Sequence, residues 1–313
     1  MARFIVTRLL GLVGVLLAVS AITFVLMHAV PGGPFDAQAM ERQQMIPEAI
    51  KRQLEAKYGL DKPLWQQYLI FLGNAVQLDF GYSFTNSTRT VVQIFQQQWP
   101  YSIQLGLLTL VFSTVVGLGL GIAAAIKQGT WVDHTGTLVS VFCLVMPSFV
   151  FAILLQFVLS VRLGWLPTGG WTSPKNWIMP VLANSLGPIL ILQRYTRSSM
   201  ADVMRANYVR TARAKGMSER RVMLIHVFKN ALTPVVTVGG PMIAGLITGS
   251  FFVESIFRVP GIGLYFVTAV QGRDYPMIMA TTLVWTALIS VTYLLTDLVY
   301  ALIDPRVTYT KAQ

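Results

Sequence analysis

Long charge-free runs of apolar residues constrain this chain more than any other feature. Leu9–Val30, Tyr101–Ile126, Thr135–Val161, Trp177–Gln193 and Ala231–Val253 carry no formal charge, and Met277–Ile303 carries only Asp297. Each reaches the length of about 20 residues that a bilayer's hydrocarbon core requires. Only 12% of the 313 residues are charged, about half the share usual in soluble domains. In lipid the backbone must satisfy its own hydrogen bonds, and helices do so within one segment. The runs therefore predict an all-α membrane protein with six transmembrane helices.

The segments between the runs predict the rest of the organisation. Residues 1–30 form a short basic N-terminus and the first helix. A signal peptide is the competing reading, but its apolar stretch is usually shorter and ends at a small-residue cleavage site. This run ends in His28-Ala-Val-Pro-Gly-Gly33, so an uncleaved helix is expected. Residues 31–100 form the long polar stretch, with a short helix over Pro47–Tyr58, and read as an extramembrane cap. Residues 101–313 read as a five-helix core carrying a long inner loop at about 194–230.

Orientation follows from the lysines and arginines of the connections. With the N-terminus inside, inner segments hold 14 basic residues against four acids, and outer segments hold ten against eight. Both termini are thus expected in the cytoplasm. This placement accounts for the net charge of +11, and no nucleic-acid partner is expected. The single cysteine, Cys143, lies inside an apolar run and excludes an intramolecular disulfide.

Catalytic signatures are absent: no G-x-x-x-x-G-K-[ST], H-E-x-x-H or G-x-S-x-G occurs. His28, His134 and His226 lie on different segments without metal-ligand spacing, and read as interfacial or packed histidines. Asp297 is the one formally charged residue inside a run. Such an acid is a functional candidate, although a hydrogen bond to a neighbouring helix is the simpler reading and is favoured. Gly117-x-x-x-Gly121 and Gly245-x-x-x-Gly249 suit close helix packing. An intramembrane enzyme would need convergent catalytic groups in the helices. A secondary transporter would be expected to show inverted repeats or several membrane acids, and neither pattern is present.

The inner loop carries the most information. Asp202–Lys215 has good helix formers, and Gly216 stands where a helix C′ glycine at positive φ is expected. Ser218 can cap a following helix over Glu219–Lys229, with Glu219 facing the helix dipole. Two short cytoplasmic helices broken at Gly216 are expected. They would form a shaped docking knob or an amphipathic segment held to anionic lipid; the tight break favours the knob.

Tyr208-Val-Arg-Thr-Ala-Arg-Ala-Lys-Gly216, with Ser218-Glu-Arg-Arg221 and Asn230-Ala-Leu-Thr-Pro234, resembles the cytoplasmic loop of binding-protein-dependent ABC importer permeases. That family's pattern is Glu-Ala-Ala, three residues, then Gly. Here Arg210 replaces the Glu and Thr211 the first Ala, while Ala212 and Gly216 match, as in its peptide-importer branch. Pro31-Gly-x-Pro34, Tyr58-Gly-Leu-Asp-x-Pro63, Leu78-Asp-Phe-Gly81, Glu254-Ser-Ile-Phe-x-x-Pro-Gly-Ile-Gly263, Arg273-Asp-Tyr-Pro276 and Ile303-Asp-Pro305 extend the likeness along the chain. Trp165-Leu-Pro-x-Gly-Gly-Trp171 and Gly245-x-Ile-Thr-Gly-Ser250 look most like a B-type oligopeptide permease subunit.

The resemblance implies a type I ABC importer permease bundle in a prokaryotic cytoplasmic membrane. It implies a second, C-type permease, two ABC ATPase subunits and an extracytoplasmic peptide-binding protein as partners, with oligopeptide as cargo. Dipeptide, nickel-chelate and glutathione import by close relatives stay open. It implies no cofactor in this chain, since the partner ATPases bind ATP and Mg. Arg210, Thr211, Ala212, Arg213, Ala214, Lys215, Gly216, Ser218, Glu219 and Arg220 would form the ATPase-coupling loop.

Overall fold

Proline and glycine decide where the apolar runs become helices and where they break. The computed structural model describes residues 2–35, 52–53, 55–56 and 58–303. The helices are α1 Ala2–Ala29, α2 Leu64–Val76, α3 Val91–Ile126, α4 Trp131–Val145, α5 Ser148–Arg162, α6 Pro174–Asn184, α7 Leu186–Met204, α8 Asn207–Ala214, α9 Glu219–Ile247, α10 Phe251–Phe257, α11 Ile262–Gln271 and α12 Tyr275–Ile303. Most of the Pro47–Tyr58 helix expected from sequence, and the chain after Ile303, lie outside the described residues.

Several boundaries differ from the sequence expectation, each for a local reason. The helix after the cap starts at Val91, ahead of Pro100. There Gln93 Oε1 accepts from the Thr90 N–H at 3.0 Å and Thr90 Oγ1 accepts from the Gln93 N–H at 3.2 Å, a reciprocal cap that fixes the helix start. The third run is two helices, because Pro147 holds Met146 in extended backbone with ψ 112°. The fourth run breaks at Ser185, three residues before Pro188, whose missing N–H leaves a helical carbonyl unbonded. The fifth run ends at Ile247, where Gly249 turns the chain at φ +92°.

The inner loop also differs. It begins inside α7, and Asp202–Lys215 is not one helix, since the chain leaves α7 at Arg205 and re-enters at Asn207. The helix expected over Glu219–Lys229 is not separate but forms the first part of α9. Nothing in Phe228-Lys-Asn-Ala231 breaks it, and a wide turn over Val222–Phe228 carries it into the apolar run.

Among the described residues, four helices are long and apolar enough to cross a membrane, or five if α10 and α11 count as one broken span. The six apolar runs thus do not become six unbroken spans among the described residues.

Two compact units emerge, and they cut across chain order. One comprises Met1–Tyr101 with Pro260–Val291, the other Ser102–Val259 with Thr292–Gln313. In the first, Val91, Ile94, Phe95, Ile262, Met277 and Ile278 form the core. Asp274, fully buried, accepts from the Thr85 N–H and hydroxyl at 3.1 and 2.8 Å, from Ser83 Oγ, and from the Met277 N–H at 3.2 Å. It both caps α12 and holds the turn before α3. Arg273 donates to the Pro31 and Gly32 carbonyls.

In the second unit one cluster gathers Leu105, Ala152, Trp171, Met179, Phe257 and Val259. Another gathers Ala125, Met200, Val209, Ala212, Val222, Val227 and Ala231. Glu254, fully buried, accepts from Ser102 Oγ at 2.8 Å and from the Ser250 N–H at 3.2 Å. A Cβ on Gly249 would stand 2.6 Å from Glu254 Oε1, so this turn admits only glycine.

Candidate functional site

α8 has one face inside and the rest outside. Val209 and Ala212, three residues apart, are buried, and both pack into the cluster with Ala125 of α3, Met200 of α7 and Val222, Val227 and Ala231 of α9. Short buried side chains let α8 lie close to three neighbours. Arg210, Thr211, Arg213, Ala214, Lys215, Gly216, Ser218, Glu219 and Arg220 are exposed. The sequence-predicted coupling residues are therefore brought together on one surface, except Ala212, which points inward.

Gly216 fixes how this surface ends. Its φ is +79°. Its N–H donates to the Arg213 carbonyl at 2.9 Å, and the Met217 N–H donates to the Ala212 carbonyl at 3.3 Å. This paired closure is a Schellman turn, with Met217 and Ala212 in the same apolar cluster. Ser218 occupies the N-cap position of α9, yet its side chain makes no capping bond. Glu219 does not simply face the helix dipole: Arg213 reaches across the turn to it with bonds of 2.6 and 3.0 Å. That fork lowers the Glu219 carboxyl and raises Arg213 from their ordinary values, each through the side-chain hydrogen bond first. Arg210, Lys215, Arg220 and Arg221 add exposed positive charge around it.

A second ion pair, not anticipated from sequence, anchors the segment. Arg197 of α7 donates through Nε and Nη2 to the two oxygens of Asp133 at 2.5 and 2.8 Å. Asp133 is buried and also accepts from the Gly129 N–H at 3.0 Å. The arginine bond, followed by this backbone bond, holds its carboxyl down at about 2. The pair joins two connections that charge counting places on the same side. The available signal was Asp133 itself, the sole acid between the second and third runs; a spacing rule does not pair it with Arg197.

The small-residue patterns separate. Gly117 and Gly121 face α7: added Cβ atoms would stand 2.7 Å from Leu192 Cβ and 2.8 Å from the Gln193 carbonyl. Gly245 has no described atom within 4 Å of an added Cβ, and Gly249 lies in the turn beyond α9. Among the described residues the Gly245–Gly249 pair therefore forms no helix-packing face. The side chain of Asp297 lies outside the described residues. Among the described residues no three His, Cys, Asp or Glu side chains gather as a metal site. The arrangement presents a rigid, basic, turn-ended helix on packed helices, which suits transmission of force rather than bond chemistry.

Comparison with known proteins agrees. Residues 117–309 match the family described as "Binding-protein-dependent transport system inner membrane component", and residues 1–106 match the N-terminal family of the same membrane components. The chain is 38% identical over 311 residues to the "Dipeptide transport system permease protein DppB" of Bacillus subtilis (strain 168), covering 99% of each. It is 37% identical over 311 residues to the "Oligopeptide transport system permease protein OppB" of Haemophilus influenzae, covering 99% of this chain and 100% of that one. The solved structure titled "Inward facing conformations of the MetNI methionine ABC transporter" is similar in fold, with a TM-score of 0.55 and 13% identity over 68% of this chain and 97% of that one. Permeases of this kind are non-catalytic, multi-pass membrane subunits. With its helical bundle and both parts of its length matched, the chain belongs to the family of inner-membrane components of binding-protein-dependent transport systems.

Proposed function

We propose that this chain is a permease subunit of an ATP-driven peptide importer in a prokaryotic cytoplasmic membrane, with oligopeptides as cargo. The observation that carries the reading is similarity along the whole chain to permeases named for peptide transport. The chain pairs with a second, C-type permease, two ABC ATPases dock beneath, and an extracytoplasmic binding protein delivers peptide. ATP and Mg belong to the partner ATPases. Six membrane crossings, with both termini in the cytoplasm, place α8 and the Gly216 turn on the ATPase side and residues 31–100 outside.

In this reading α8, Gly216 and Arg220 enter a groove on an ATPase. Closure of the ATPases then displaces a rigid element, and the bundle exchanges inward- and outward-facing states. Dipeptide import is the second reading, favoured by the dipeptide permease among the relatives. The test is ATP hydrolysis by the purified four-subunit complex, driven by its binding protein with di-, tri- and pentapeptides. Stimulation by pentapeptide supports oligopeptide import, and stimulation by dipeptide alone selects the second reading. Hydrolysis indifferent to every peptide removes both.

A further inference from the structure

Arg258 ends α10 with φ +52°, a left-handed conformation that glycine adopts freely and other residues resist. A side chain kept at such a position is a reason to look for what it does. Its guanidinium is exposed, and no carboxylate among the described residues pairs with it. Three residues earlier, Ser255 Oγ is buried without a hydrogen-bond partner among the described residues. Both line one cavity of about 660 Å³, whose other walls include Gln156, Thr168, Gly169 and Gly170, and no acid.

The walls are fixed. The Gly170 N–H donates to the Phe257 carbonyl at 2.7 Å. Gln156 Nε2 donates to the Thr168 carbonyl at 2.6 Å and to the Ile256 carbonyl at 3.3 Å. Asn176 Nδ2 holds the Gly169 carbonyl at 2.5 Å. A Cβ on Gly169 would stand 2.5 Å from the Phe257 carbonyl, so the loop approaches α10 as closely as backbone allows. The result is a preorganised recess lined by an exposed guanidinium and by no acid. Carboxylate is the ligand that a guanidinium recognises bidentately.

We propose that this recess receives an acidic side chain of the extracytoplasmic binding protein, with Arg258 donating to its carboxylate. This rests on the function proposed above, which puts every wall of the recess at the outer ends of spans or in outer connections. A transporter of this family depends on a binding protein, so a protein surface must meet those connections. An exposed rim cation suits a docking contact better than a step in the path of the peptide.

The test uses the complete transporter in lipid nanodiscs and measures binding-protein affinity across a salt series. Arg258→Gln should weaken binding about tenfold, the usual worth of a hydrogen bond to a charged group, and flatten the salt dependence. Arg258→Gly relaxes the backbone, so an equal loss there assigns the effect to the guanidinium rather than to folding. Arg258→Lys should fall between, Ser255→Ala should leave binding unchanged because its hydroxyl is buried, and ATP hydrolysis without binding protein should not change. Binding protein loaded with ordinary or C-terminally amidated peptide should lose affinity equally. A loss confined to the free-carboxylate peptide would make the peptide the ligand and overturn the proposal. Unchanged affinity in Arg258→Gln, or reduced recovery of the second permease, would overturn it as well. A wild-type transporter indifferent to binding protein would instead remove the proposed function, and this contact with it.

Discussion

Gly216 offers a test in which backbone conformation alone is perturbed. At φ +79° with no described atom within 4 Å of an added Cβ, any substitution meets open space. The cost is therefore conformational: roughly 1–2 kcal/mol for a side chain forced into the left-handed region, least for Asn and most for a β-branched residue. That is enough to lower the population of the native turn by about 5- to 30-fold. It also threatens the two bonds that close α8, from Gly216 to Arg213 and from Met217 to Ala212. Peptide uptake should thus fall in the order Gly, Asn, Ala, Val, with ATPase association weakened or hydrolysis uncoupled. Membrane levels should stay constant, because the buried cluster under α8 is untouched. Arg210→Ala should be milder, since an exposed charge contributes at most about 1 kcal/mol. The assay is uptake and ATPase copurification at matched expression. Full transport by Gly216→Val would show that the turn is incidental, and the coupling element would have to lie elsewhere in residues 194–230.

Arg197→Met should destabilise the solubilised complex by about 2 kcal/mol, because it strands the Asp133 carboxylate; the partial exposure of Arg197 keeps the loss below that of a fully buried pair. The Asp133 carboxyl sits at about 2, below its ordinary value. The pair's contribution is therefore fully present above pH 4 and disappears as pH falls toward 2, so wild-type and Arg197→Met melting curves should keep a constant offset between pH 5 and 9. A converging offset would contradict the assignment. Gly121→Ala should cost about 1–3 kcal/mol by pushing α3 off α7, whereas Gly245→Ala should be neutral or slightly stabilising; equal melting temperatures for the two variants would refute the packing account. Single cysteines at Gln43 and Ser218 in a Cys143→Ala background should label from opposite sides with an impermeant reagent, and labelling of both from outside would reverse or remove the proposed topology.

The elements legible in the sequence were those set by one-residue chemistry or by length. Gly216 at a helix C′ position needs nothing but its own lack of a side chain, and its positive φ is observed. The apolar runs around α1, α3 and α12 needed only length and the absence of charge. What escaped was decided by partners distant in sequence. Gly249 looked like a helix-packing glycine because its spacing from Gly245 is right; what removes it from the helix is the buried Glu254 carboxylate folding back over the turn. Ser218 was a plausible cap, but Arg213 holds Glu219 and the hydroxyl is left out. The division of the third and fourth runs was half visible, since Pro147 and Pro188 were in plain sight. Membranes tolerate proline within a helix, so the residue alone does not say whether a run kinks or stops.

The packing under α8 bears on how a pull from an ATPase would travel. Of the residues that seat it, Ala125, Ala212 and Ala231 have no rotamers to change, and Val209, Val222 and Val227 are β-branched and stiff. Met200 alone among the fully buried members can repack readily, so the seam absorbs little displacement by local rearrangement, and close-packed interiors shift whole elements instead. Movement of α8 must therefore carry α3, α7 and α9 or break contact with them. The Asp133–Arg197 pair extends the same rigidity to α4, and Gly117 and Gly121 let α3 approach Leu192, Gln193 and Thr196 of α7 with no room for an added Cβ. Coupling through this surface is then a property of the seam as a body rather than of a route through chosen residues. With α8 as the proposed coupling element, substitutions that open the α3–α7 contact should therefore lower transport per ATP hydrolysed even though they lie well inside the bundle.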